Sequence, residues 1–230
     1  MKLQPLPAGR ARSDAWVTLL ALALLLAWDA TGLDLAAARL FGTAGGFGWR
    51  DSWVASTLLH DGGRIAAWLV LAALMATALR PPPASTPSRL MRWRWVGVML
   101  LCVLLVPAIK RISLSSCPWE LAEFGGAARH LSHWRWGVAD GGPGHCFPSG
   151  HAVSAFAFFG LYFLWREHDR RRARAFLWAV IGTGLLFGSA QLVRGAHYPS
   201  HTLWTAWLCW TICVVADRVL ARWGGRSKAQ

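Results

Sequence analysis

The sequence predicts an all-α, polytopic membrane protein, a six-transmembrane-helix bundle in which residues 1–230 form a single membrane-embedded domain. Three observations carry this. Hydrophobic residues make up 55% of the chain and charged residues 15%, too apolar a balance for an ordinary soluble domain. The chain holds 16 tryptophans, which suit aromatic belts at membrane–water interfaces. Six apolar runs follow one another, with Arg or Lys at their ends. Several are shorter than the roughly 20 residues a bilayer prefers, and each alone could be a buried core helix. Six in series, with snorkelling ends, are better explained by spanning.

The first run is Ala15–Trp28, with Asp29 at its outer end. It lacks a convincing small-residue cleavage site and reads as an uncleaved span rather than a secretory signal. Residues 29–63 are mixed and read as re-entrant or interfacial structure. Ile65–Leu79 is the second span, closed by Arg80 and the Pro81-Pro82-Pro83 break. Trp95–Ile109 is the third, and 110–147 is a long loop. Ala152–Trp165, Ala175–Val193 and His201–Ala216 complete the set. Trp16, Trp93, Trp95, Trp165 and Trp223 stand near the run boundaries.

Charge sets the expected orientation. The net charge of +13 would ordinarily suggest a nucleic-acid partner, but the arginines fall in short blocks between apolar runs, so none is expected. The N-terminus (Lys2, Arg10, Arg12), the 80–94 loop, the 166–174 block and the tail (Arg218, Arg222, Arg226, Lys228) are the basic segments. By the positive-inside rule these lie in the cytoplasm, with both termini. Segments 29–64, 110–151 and 194–201 then face outward, which puts Lys110 and two histidine-bearing knots on one face. The knots are Pro148-Ser149-Gly150-His151 and Arg194-Gly195-Ala196-His197-Tyr198-Pro199-Ser200-His201.

Those residues fit phosphoryl transfer. Ser149 is a candidate N-cap, and Gly150 permits close approach to the free N–H groups of the helix expected to follow, a seat for an anion. Lys110 is either a snorkelling lysine or a point charge for phosphate. One imidazole can attack phosphorus, a second can orient it, and another can protonate the leaving oxygen. This chemistry needs no metal or other cofactor. A looser group in the long loop (Glu120, Glu123, His130, His133, Asp140, His145) offers a metal site as a rival, and a headgroup-binding protein or transporter is the non-enzyme rival. Of the five cysteines, Cys102, Cys209 and Cys213 lie within apolar runs, while Cys117 and Cys146 share the loop, where an oxidising compartment would permit a disulfide.

Three pieces of this chain resemble the motifs of the type-2 phosphatidic acid phosphatase family. They are Lys110-x6-Cys117-Pro118, Pro148-Ser149-Gly150-His151, and Ala190-Gln191-x5-His197-x3-His201. The family patterns are Lys-x6-Arg-Pro, Pro-Ser-Gly-His and Ser-Arg-x5-His-x3-Asp. The resemblance implies the six-helix fold this family shares with vanadium-dependent haloperoxidases. It also implies His197 as nucleophile, His151 as general acid, and Lys110, Ser149 and Gly150 on the phosphate. Cys117 and Gln191 replace the family's two arginines, with Arg194, Arg111, Arg129 or Arg135 as candidate replacements. His201 replaces the aspartate that orients the nucleophile. The expected activity is metal-independent hydrolysis of a lipid phosphate at the outer face of a bacterial inner membrane. Isoprenyl diphosphate, phosphatidate-type lipids and lipid A phosphate all fit, as does transfer between lipids.

Overall fold

A computed structural model describes residues 8–226, with side chains from 12 to 222. Lys2 and Lys228 lie outside the described residues, as do the side chains of Arg10, Trp223 and Arg226. The described residues are mostly helical: α1 (Ala8–Thr31), α2 (Leu33–Arg39), α3 (Gly63–Leu79), α4 (Arg89–Arg111), α5 (Val153–Phe156), α6 (Phe159–Trp165), α7 (Arg170–Val193) and α8 (Pro199–Arg226). Among the described residues, five helices are long and apolar enough to cross a membrane, and α5–α6 forms a shorter apolar one. This is a multi-pass, all-α membrane architecture.

Two differences from the sequence reading have physical causes. The second crossing does not start at Ile65. Trp53–Gly62 winds as a π-helix, capped by Ser52 Oγ on Ala55 N, and runs straight into α3. Its Ser, Thr, His, Asp and Gly residues interrupt the apolar run from which the sequence reading placed the crossing, while the helix runs continuously over Trp53–Leu79. The fourth segment keeps to its apolar run, Val153–Trp165, but a turn at residues 157–158 breaks it into α5 and α6. Ser149 Oγ accepts from Ala152 N at 3.4 Å and so caps the turn before Val153 rather than a long helix. A four-residue helix has little dipole, so charge at this knot comes from side chains instead.

The α5–α6 segment is short because it is the centre of the bundle. Val153, Phe156, Phe159, Leu161, Phe163 and Leu164 are all buried, against Trp95, Met99, Cys102 and Val106 of α4 and Cys209 and Cys213 of α8. Opposite faces of α1 and α3 leave Trp16, Leu20, Leu24, Trp68 and Leu69 exposed. In water such a surface would be untenable, whereas in a bilayer it is the lipid contact.

At one end of the bundle a small second core (Ala38, Phe47, Leu121, Phe124, Ala128, Tyr198) packs the long loop over the helix ends. Asp140 organises that loop by accepting from Ser116 N at 2.6 Å and Ser116 Oγ at 2.7 Å. Cys117 and Cys146 form a disulfide that ties the loop's first strand to the 148–151 knot. At the other end Arg166 is buried between Asp14 of α1 and Asp217 of α8, at 2.7 and 2.6 Å.

Candidate active site

Three separated stretches meet at the loop-covered end. Lys110 lies in the last turn of α4 and reaches under the 148–151 knot: a Cβ on Gly150 would stand 3.3 Å from its Cδ and 3.6 Å from its Nζ. Glycine there keeps open the space in front of the ammonium. No carboxylate lies within ion-pair reach of Lys110 among the described residues.

Gly195 ends α7 with φ 72°, a backbone turn that other residues resist, and a Cβ there would strike the Phe47 ring. The turn delivers His197, 4% exposed, into the space beside Lys110. His197 Nδ1 lies 3.5 Å from His201 Nδ1 and 3.4 Å from Cys146 Sγ, and the Cys146 carbonyl faces both rings. A disulfide sulfur and a carbonyl only accept, while His201 Nδ1 donates or accepts according to its tautomer. With the shared proton on His197 Nδ1, its Nε2 keeps a free lone pair. Burial, and then the charges of Lys110, His201 and His151, hold the His197 imidazole well below its usual range. The ring stays neutral at ordinary pH.

His151 is packed between two other rings, His60 at 4.6 Å and Phe187 at 4.7 Å between centroids. The Leu59 carbonyl holds one ring nitrogen, while Nε2 is buried without a partner. Burial first, then His60, Arg194 and Arg64, push its pKa down to about 4. The two guanidiniums, and His60 whenever it is protonated, disfavour the imidazolium, and a bound anion would reverse that effect.

Arg194 is the inward-turned arginine of the four candidates. Its Nε donates to the Arg50 carbonyl at 2.8 Å, Nη1 to Gln191 Oε1 at 3.4 Å and Nη2 to Ser56 Oγ at 3.4 Å. Gln191 thus holds a guanidinium three residues downstream of the position where the family pattern has its own. Arg111, Arg129 and Arg135 are exposed. Ser149 is fully buried, its N–H on the His201 carbonyl at 3.1 Å.

Lys110, Ser149, Gly150, His151, Arg194, His197 and His201 therefore gather at one end. His60, Arg64 and Phe187, which flank His151, were not legible as site residues. Their only signal was a His-Asp beside a Gly pair in a segment read as interfacial. The members of the rival metal group are committed elsewhere: Glu123 pairs with Arg39, Asp140 with Ser116, and His133 with Asp29. The one described grouping with metal-ligand spacing is Cys117, Cys146 and His197, and its two sulfurs are bonded to each other.

A family model, the PAP2 superfamily, matches residues 92–224. The chain belongs to the PAP2 superfamily. The match runs from α4 to α8 and takes in all three motif stretches. PAP2 membership supports a phosphoric ester hydrolase acting on lipid-type phosphates within a membrane. A search of curated proteins and a search of solved structures each gave no match.

Proposed function

We propose that this PAP2 protein is an integral membrane lipid phosphatase that hydrolyses a phosphomonoester or diphosphate through a phosphohistidine on His197. Its site faces the periplasmic side of a bacterial inner membrane. The observation that carries the reading is His197 itself: a buried imidazole with Nδ1 against His201 Nδ1, gathered at one end with Lys110 and His151.

His197 Nε2 attacks phosphorus, forming an N–P bond as the P–O bond to the lipid breaks. A bound anion raises the pKa of His151, which takes up a proton from solvent, and its Nε2–H protonates the departing oxygen. The ring, neutral again, accepts the proton of the water that attacks in the second half-reaction. Lys110, Arg194, Ser149 and Gly150 hold the equatorial oxygens, and the cations balance the charge that builds there. As His197 becomes cationic, its Nδ1 proton is shared with His201. Water then attacks the phosphohistidine, the N–P bond breaks, and phosphate leaves.

A lipid chain has a place to lie. An apolar groove of about 210 Å³ runs between α3, α4 and α5, lined by Trp68, Leu71, Met99 and Val103, with Gly150 and Arg64 among its lining residues. A headgroup at Lys110 would leave its chain in that groove, within the bilayer.

The test is phosphate release by purified protein from isoprenyl diphosphate, phosphatidate and lipid A phosphate, with His197→Ala beside it. The expected result is turnover of at least one lipid, falling by roughly 10⁴-fold or more in the variant. Full activity in His197→Ala would refute the nucleophile, and wild-type inactivity on every lipid would refute the phosphatase.

A further inference from the structure

His201 stands where a carboxylate would orient and neutralise the nucleophile, and an imidazole does the second job poorly. A carboxylate nevertheless stands nearby, supplied by a different helix. Asp29, at the end of α1, has a side chain only 4% exposed. Its Oδ2 accepts from Trp134 Nε1 at 3.0 Å and Trp204 Nε1 at 2.9 Å, and meets His133 Nε2 at 3.2 Å. Its Oδ1 is buried and has no partner on the protein.

Two of those donors are neutral indoles. The third is neutral as well, because burial outweighs Asp29 and holds His133 below its usual range. A buried carboxylate with only neutral donors retains unbalanced charge, a costly arrangement unless some cation answers it.

Asp29 and His201 line one small polar cavity of about 50 Å³, together with His133, Tyr198, Asp34 and Asp140. Tyr198 Oη is likewise buried and unpartnered. The volume suffices for one bridging water. The other two carboxylates of the cavity are fully used: Asp34 accepts from Trp28 and Ser200, and Asp140 from Ser116 and Gly142. His133 closes the gap from the side, its ring centroid 5.9 Å from that of His201 and edge-on to it.

We propose that Asp29 is a positioning residue for His197, acting across this cavity through His201, so that helix α1 supplies the negative charge that position 201 lacks. When His197 attacks, its Nδ1 proton moves toward His201 Nδ1, and the resulting imidazolium shares the cavity with the Asp29 carboxylate. The proton returns when water cleaves the N–P bond. This inference rests on the phosphohistidine reading.

A double-mutant cycle tests it, with phosphate release from whichever lipid the wild type turns over. Asp29→Asn keeps an acceptor for both indoles and removes the charge, so kcat should fall roughly 10- to 100-fold with little change in KM. Asp29→Glu should retain much of the rate, and carries the test if the amide variant misfolds. His201→Asp places a carboxylate directly on His197, and in that background Asp29→Asn should cost less than about threefold. Equal losses in both backgrounds, or a loss confined to KM or thermal midpoint, would overturn the proposal and leave the phosphatase standing. Unchanged activity in His197→Ala would instead remove the reading beneath it.

Discussion

The two ends of the bundle bury charge in opposite ways. At one end Arg166 sits between two carboxylates, Asp14 and Asp217, with its guanidinium over the Phe163 ring at 4.5 Å. At the other, Lys110 has no carboxylate, Arg194 is held by a carbonyl, an amide and a hydroxyl, and four histidines lie buried or half-buried among them. Burial penalises both arrangements, but only the first is answered by carboxylates in direct contact, whereas Asp51 and Asp61 act on Arg194 without an ion pair. The second leaves positive charge, a His151 nitrogen and a Gln191 nitrogen without partners. An anion is what such a site lacks, and the contrast separates a charge that fastens α1, α6 and α8 from charges kept available for a ligand.

The contrast breaks most visibly at Arg166. Arg166→Met would remove the guanidinium held between Asp14 and Asp217 and should cost about 3–5 kcal/mol of stability. Thermal unfolding in detergent would show this, while the folded fraction should keep kcat/KM within about twofold. Adding Asp14→Asn and Asp217→Asn should recover most of the loss. Arg194→Gln should behave inversely, lowering kcat/KM by roughly 10²–10³-fold with a far smaller thermal shift. An Arg194 variant that melts like Arg166→Met yet turns over normally would erase the distinction.

A smaller effect should come from pH. His151 is held at about 4 against an ordinary 6.5, and His197, His130 and His133 are displaced in the same direction, chiefly by burial. The unfolded chain therefore binds more protons between those values, so stability is full above about pH 6.5 and is lost as pH falls toward 4. The thermal midpoint should drop over that window, and His151→Gln should flatten the slope. A midpoint that rises on acidification would show that these rings are not buried neutral.

Much of this was readable in the residues, and the gaps have physical reasons. Hydropathy marks a crossing where apolar residues run unbroken, so α4, α7 and α8 were plain and the Trp53–Gly62 entry to α3 was not. The knots at 148–151 and 194–201 announced themselves because turn residues and histidines interrupt apolar runs. Pairing Cys117 with Cys146 depended on three-dimensional proximity, which spacing alone does not supply. Asp29 was visible only as the polar end of a span. Its importance lies in which oxygen has no donor and which histidine lines its cavity, and neither is a property of sequence. Residue identity at 117, 191 and 201 showed what this chain lacks, while Arg194 and Asp29 come from elsewhere to stand near those positions.

The central claim is that a phosphoryl group is carried on His197 Nε2. Protein incubated with a ³²P-labelled lipid phosphate, quenched in alkali and digested should carry an acid-labile label on the peptide containing His197, and none in His197→Ala. Label on another residue, or turnover without label while His197→Ala remains active, would contradict it.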